Sequence, residues 1–304
     1  MKRLIHKTLA TAFIVTGLLI ISGCSITRLG YDHGPRLTWW WLDGYIGFDQ
    51  EQKTPAKQAI RDWFDWHRTT QLLEYASWLS SVRRQIEGPL TPAQVCHWSD
   101  ELQDIISPAL DHAVQLATPV AMILSEPQWR HLEQRYAKSN DKLRHKYLQT
   151  DPEDRLNASI KRTTKRFKQL YGRLDNTQHS LIAANAESSP FDPEEWLFER
   201  QRRQQLTLVT LQRLSSGPVP TEQAVNQLRK LAEHTFRSDD PGYRLYQEIL
   251  AMHICGTIAQ VHNSATPTQR QHAHDKLLSW ENDLQVLAGD QHRTDDQMHT
   301  VAEQ

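Results

Sequence analysis

The chain has 304 residues, 35 Lys and Arg against 36 Asp and Glu, and 38% hydrophobic residues. A charge so near balance gives no reason to expect nucleic acid as a partner, and 3 cysteines are too few for a disulfide-dense scaffold. Only 12 glycines and no sustained apolar/polar alternation argue against a sheet and for an all-α fold.

The opening, MKRLIHKTLATAFIVTGLLIISGC, carries Lys2, Arg3 and Lys7 ahead of a short apolar run from Ala10 to Ile21. Small residues Ser22 and Gly23 then lead into Cys24. That is the layout of a cleaved export signal, and the run is short for a spanning helix. Ile21-Ser22-Gly23-Cys24 also fits the bacterial lipobox. Residues 1–23 are therefore expected to be a lipoprotein signal peptide and Cys24 the lipidation site; a single-pass anchor or a plain secretory signal are the alternatives. Ser25 follows the cysteine where an inner-membrane retention signal would place Asp, so an outer-membrane, periplasm-facing anchor is expected. The leader holds three of the 35 basic residues and none of the 36 acidic ones, leaving a net charge of about −4 beyond it.

Residues 24–36 read as a tether, 37–289 as an all-helical domain and 290–304 as a disordered tail without an apolar stripe. Helical periodicity between cap and turn residues predicts helices at 38–48, 54–87, 92–106, 108–123, 126–149, 152–174, 176–187, 192–215, 221–236, 241–263 and 267–288. A multi-helix bundle or array follows.

In the first of these helices, Leu37, Trp40, Trp41, Gly44, Tyr45 and Phe48 form one stripe, and Trp39, Leu42 and Ile46 a second. A helix apolar nearly all round is buried in protein or sunk in lipid, and twelve residues cannot span a bilayer. With Asp43 and Asp49 as its polar side, the core reading is the better one; a membrane-interface helix or a ligand platform are the alternatives. In the next helix Ile60, Trp63, Phe64, Tyr75 and Trp78 build an aromatic face that His67 and Gln71 interrupt. Buried polar residues need partners, so His67 is expected to bond to a neighbour such as Asp43.

Tyr31-Asp32, Trp39-Trp40-Trp41-Leu42-Asp43, Phe48-Asp49-Gln50 and Trp66-His67-Arg68-Thr69-Thr70-Gln71-Leu72, followed by Tyr75-Ala76, resemble an uncharacterised family of bacterial lipoproteins, a domain of unknown function. The likeness is densest over residues 24–80. It implies a lipid anchor and a helical fold, and supplies no activity. Where that pattern often carries Pro after the Leu, this chain has Leu73, so the helix is expected to run on.

Several helix starts repeat one another. Leu90-Thr91-Pro92-Ala93-Gln94, Leu124-Ser125-Glu126-Pro127-Gln128 and Ala265-Thr266-Pro267-Thr268-Gln269 place Ser or Thr at the N-cap and Gln three residues on, with Asp175-Asn176-Thr177-Gln178 a weaker fourth. This is the capping box, in which cap and amide satisfy two orphan backbone N–H groups. It also resembles the LTxxQ motif of small periplasmic stress chaperones, helical cradles that hold unfolded clients.

The sharpest charge asymmetry is RLNASIKRTTKRFKQLYGRL, Arg155 to Leu174, with no acid among its seven basic residues. Lys161, Arg162, Lys165, Arg166 and Lys168 are the candidate anionic-partner surface; a solvated face balanced by acidic neighbours is the bland alternative. Cys96 and Cys255 both sit where buried free thiols are at home, although an export compartment also permits a disulfide between them. Fifteen histidines give no HExxH, and no nucleotide loop or nucleophile elbow occurs, so no metal, cofactor or catalytic residue is expected. The expected function is a non-enzymatic binding or scaffolding module, held to a membrane through Cys24 and touching an anionic envelope component or another envelope protein. A chaperone-like holder is the second reading. A hydrolase of envelope polymer, with Asp43 and His67 as its only acid/base pair, is the third.

Overall fold

The computed structural model describes residues 26–302, with side chains from 28 to 289; the expected leader and Cys24 lie outside the described residues. Twelve helices and no strand are present among the described residues, so the all-α, multi-helix architecture holds. They are α1 (Ile26–Asp32), α2 (Gly34–Ile46), α3 (Gln50–Thr70), α4 (Leu72–Gln85), α5 (Pro92–Ala121), α6 (Glu126–Tyr147), α7 (Pro152–Tyr171), α8 (Asn176–Glu187), α9 (Pro193–Ser215), α10 (Thr221–Phe236), α11 (Pro241–Asn263) and α12 (Pro267–Ala302). Among the described residues no helix is long and apolar enough to cross a membrane.

Several boundaries differ from the sequence reading. The stretch read as a tether contains α1 and the start of α2. The single helix expected over 54–87 breaks at Gln71 (φ −108°, ψ −35°), between α3 and α4. Conversely, the break expected near Pro108 is absent, and α5 runs through it. Five neighbours (α3, α4, α9, α10 and α11) pack along α5, and this tertiary support overrides the local proline penalty. The tail read as disordered continues the backbone of α12.

Helix α5 is the hub, while α12 lies along α4, α9 packs on α6, and α2 and α3 form a hairpin. The hairpin turns at Gly47, whose φ of 69° is a left-handed conformation that glycine adopts without a Cβ clash. Two cores result. The larger includes Val82, Trp98, Phe167, Tyr171, Ile182, Val261 and Leu277 from α4, α5, α7, α8, α11 and α12. The smaller gathers Leu124, Leu132, Leu208 and Leu211, with Ile46, Phe48 and Trp129 packed against them.

Each core is closed by the same polar device. Gln52 and Gln128 exchange Nε2–H···Oε1 hydrogen bonds of 3.1 and 2.6 Å, and Gln178 and Gln269 do so at 2.8 and 2.9 Å. All four are the third residue of a helix, and each Oε1 also accepts its own N-cap N–H. Every Nε2 reaches across to a carbonyl two residues ahead of the partner's cap: Ile123, Gly47, Ser264 and Arg173 respectively. A histidine one turn into the later helix completes each corner. His131 donates to the Gly44 carbonyl (3.2 Å) and His272 to that of Leu170 (2.8 Å), each five residues ahead of the earlier cap. The register match makes the α2–α3/α6 and α7–α8/α12 corners two copies of one motif. Capping boxes therefore do more here than start helices; paired and buried, they lock helix corners together.

Cys96 and Cys255 form a disulfide, Cα–Cα 5.5 Å, between α5 and α11. The free-thiol reading is thereby corrected. Side-by-side packing of α5 and α11 brings Val95 and Cys255 into one core and sets the two cysteines at ordinary disulfide separation.

Candidate functional site

The basic helix α7 starts at Asp151, whose side chain accepts the Glu153 N–H (2.8 Å), with Pro152 at the first helical position. Thr164, Phe167 and Tyr171 face inward, while Lys161, Lys165, Arg166 and Lys168 are exposed. None of these four pairs with a carboxylate among the described residues. Arg162 differs from them: its guanidinium lies 4.5 Å from the Tyr147 ring centre and donates to the Lys146 carbonyl (3.5 Å), tying α7 to the end of α6.

A groove follows α7 along its contact with α8. Two adjoining clefts of about 320 and 450 Å³ share Ser159, Ala186 and Ser189. Arg155, Arg162 and Arg166, spaced seven and four residues apart on one helical face, line its length. At the Arg166 end the floor is Phe167, Tyr171, Ile182 and Ile258, with Thr163, Asn185 and His253 in the wall. His253 donates to the Asn185 carbonyl (2.9 Å) and Thr257 to the Asn185 side chain (3.0 Å), so these polar groups are held in place. At the other end stand Tyr147 and Phe191, and Asp192, which caps α9.

A second concavity lies between α2, α3, α5 and α9. It measures about 350 Å³ and its walls, including Leu42, Ile46, Phe48, Ile60, Trp63 and Leu116, are almost wholly apolar.

Asp43 and His67 are not brought together. Asp43 accepts the Phe48 N–H (3.1 Å) and closes the α2–α3 turn. His67 Nδ1 instead meets the Tyr31 hydroxyl at 2.8 Å, and its ring stacks on Trp63 with centres 4.5 Å apart. The antiparallel hairpin explains this. With its corner at residues 47–49, position 43 faces the start of α3, whereas position 67, about 25 Å along α3, faces α1. Burial holds His67 neutral, its pKa lowered to about 4. A second buried pair, Tyr171 and His262 (2.9 Å), has His262 donating onward to the Gly88 carbonyl (2.8 Å), and burial likewise lowers the His262 pKa. Both histidines serve as hydrogen-bonded core residues.

The tryptophan helix is not core. No residue of α2 is buried, and Trp40 and Trp41 are 75% and 53% exposed. Its second stripe packs inward, with Trp39 stacked on Phe48 and Leu42 and Ile46 lining the apolar cleft. The first stripe reaches the smaller core at its C-terminal end, through Tyr45 and Phe48, and leaves Leu37, Trp40 and Trp41 exposed. Among the described residues no group of three His, Cys, Asp or Glu side chains could hold a metal ion.

Sequence reading missed Gln52 and Glu199. Gln52 had the same signal as the other caps, Asp49 three residues ahead, but it lies in the gap between the helices read at 38–48 and 54–87. Glu199 is 2% exposed and bonded by Arg202 and Ser238, and nothing local marks it off from the surface charges around it.

No curated protein and no solved structure matches the chain. The sequence model of a family of unknown function (DUF6279) matches residues 44–240, beginning after the tryptophan run and covering more than half of the chain. The chain belongs to that family.

Proposed function

We propose that this protein is a lipid-anchored, non-enzymatic binding module of the bacterial outer membrane, facing the periplasm, and that the α7 groove takes an anionic envelope component. The observation that carries the reading is the run of exposed cations on α7, without an ion pair among the described residues, beside a groove lined by Arg155, Arg162 and Arg166. Aligned cations of this kind attract and orient anionic polymer or head groups. The lipobox at Ile21–Cys24 supports the anchor, and the Cys96–Cys255 disulfide supports an oxidising compartment. Crosslinking the tethered protein in its own envelope tests the whole reading. An anionic polymer, lipid or acidic protein captured through α7 is the expected result; capture that is unaffected by reversing the α7 charges would overturn it. Anchoring is tested separately by Cys24→Ala, which should release the protein from outer-membrane vesicles.

The apolar cleft between α2, α3, α5 and α9 favours a second reading, a holder of exported clients, because an open apolar concavity is what an unfolded segment would occupy. A hydrolase gains no support, since Asp43 and His67 stand apart.

A further inference from the structure

The exposed stripe of α2 calls for a partner. Leu37, Trp40 and Trp41 are 54%, 75% and 53% exposed, and Leu29 on α1 is 56% exposed. These side chains sit at i, i+3 and i+4 on α2, so they form one continuous apolar face, next to the N-terminal end of the described chain. We infer that this face lies in the interfacial layer of the membrane that carries the Cys24 lipid. The inference rests on the anchoring reading given above.

Three observations favour a bilayer over other occupants. The first is reach. Leu29 is five positions beyond Cys24, so the two lie within about 17 Å of each other. Helical rise then places Trp40 and Trp41 only about 17–18 Å further along. A face this close to an acylated residue is brought to the bilayer surface by the anchor itself. The second is residue type. Tryptophan pairs a large apolar ring with one N–H donor and suits the boundary between head groups and acyl chains. The third is charge. The acidic residue of α2, Asp43, is turned inward to cap the Phe48 N–H, whereas Arg36 beside Leu37 is exposed. Cations flank the helix on both sides, Lys57 over Trp39 at 4.7 Å and Arg135 over Tyr45 at 5.1 Å. Basic flanks around an apolar stripe are what an anionic membrane surface attracts.

Docking by α2 also fixes the orientation of the domain. Helix α2 packs on α3 and α6, while α7 packs on α8 and α12, so membrane face and basic groove can be occupied together. A lipid chain and a docked helix act as two membrane signals on one protein, the second setting the angle that the first leaves free.

The test uses the full lipidated protein in vesicles of phosphatidylethanolamine and phosphatidylglycerol whose acyl chains carry bromine, a contact quencher of tryptophan emission. Parent protein should be quenched, and the Trp40→Ser/Trp41→Ser variant should lose most of that quenching with its helical circular dichroism unchanged. Leu37→Gln, which leaves every tryptophan in place, should weaken quenching in the same direction. Equal quenching of parent and variants would overturn the inference, as would a concentration-dependent dimer of the parent that the tryptophan substitutions abolish. The mass of the N-terminal peptide reports acylation of Cys24 independently. A chain found unacylated would end the anchoring reading, while quenching on added vesicles still decides whether α2 meets lipid.

Discussion

Gln52 and Gln128 each donate to and accept from the other across the junction of α3 and α6, at 3.1 and 2.6 Å, and both are nearly excluded from solvent. Each amide is fully engaged, because its oxygen also accepts a cap N–H and its nitrogen also reaches a carbonyl of the facing turn. Buried amides are expensive when half satisfied, so the pair makes sense only as a unit.

Gln52→Ala should cost about 1–3 kcal/mol, since it strands a donor and an acceptor of Gln128 in the interior. Once one partner is gone, removing the second should cost much less. A double-mutant cycle by urea unfolding measures the coupling. Additive losses would show that the two glutamines act independently, against an interlock between them. The same experiment on Gln178 and Gln269 should give the same sign.

The helices were legible because period, caps and prolines are local properties, and α8 and α11 fall on the expected residues 176–187 and 241–263. What the sequence could not show is which parts of the two apolar stripes face inward. On α2 both Trp40 and Trp39 look like core, and only the hairpin with α3 decides that Trp39 stacks on Phe48 while Trp40 stays outside. The Asp43–His67 pairing failed for the same reason. Distance along a helix becomes distance in space only after the corner is placed. The basic face of α7 was legible because exposure of charge needs no partner to be known, whereas the groove beside it depends on α8 and was not visible.

The Cys96–Cys255 bridge joins residues 159 positions apart in sequence, so it restricts the unfolded chain strongly. Replacing both cysteines by Ala should destabilise the protein by about 2–4 kcal/mol. Urea unfolding with and without reductant checks this: reductant should lower the midpoint of the parent and leave the double variant unmoved. An unmoved parent would mean that the bridge is absent in solution.

His67 gives a pH signature whose sign can be worked out. Burial lowers its pKa from 6.5 to about 4, so the unfolded chain binds a proton that the folded chain refuses. Its contribution to stability is therefore complete above pH 6.5 and falls away as the pH drops towards 4, by on the order of 2–3 kcal/mol. His262 adds in the same direction. His67→Gln should flatten the slope of unfolding free energy between pH 6.5 and 4 relative to the parent. A slope as steep as the parent's would assign the effect to other groups.

The α7 surface is tested by charge, and the structure dictates which residues to change. Arg162 is engaged with Tyr147 and the Lys146 carbonyl, so its loss would confuse binding with packing. Lys161, Lys165, Arg166 and Lys168 are exposed and make no ion pair among the described residues, so reversing them to Glu should disturb folding little, each within about 0.5 kcal/mol. Retention on anionic vesicles or purified envelope polymer should then collapse. In the parent it should weaken as salt rises, because exposed charges are screened over about 10 Å at 0.1 M. Arg155→Ala separates two forms of the idea. If the ligand lies in the groove, Arg155→Ala should weaken retention although that residue is outside the reversed set; if it meets only the outer face, Arg155→Ala should leave retention unchanged. Equal retention of parent and reversed protein at low and moderate salt would make α7 a solvated helix face and remove the proposed binding site, leaving the apolar cleft beside α2 and α3 as the surface with the stronger claim.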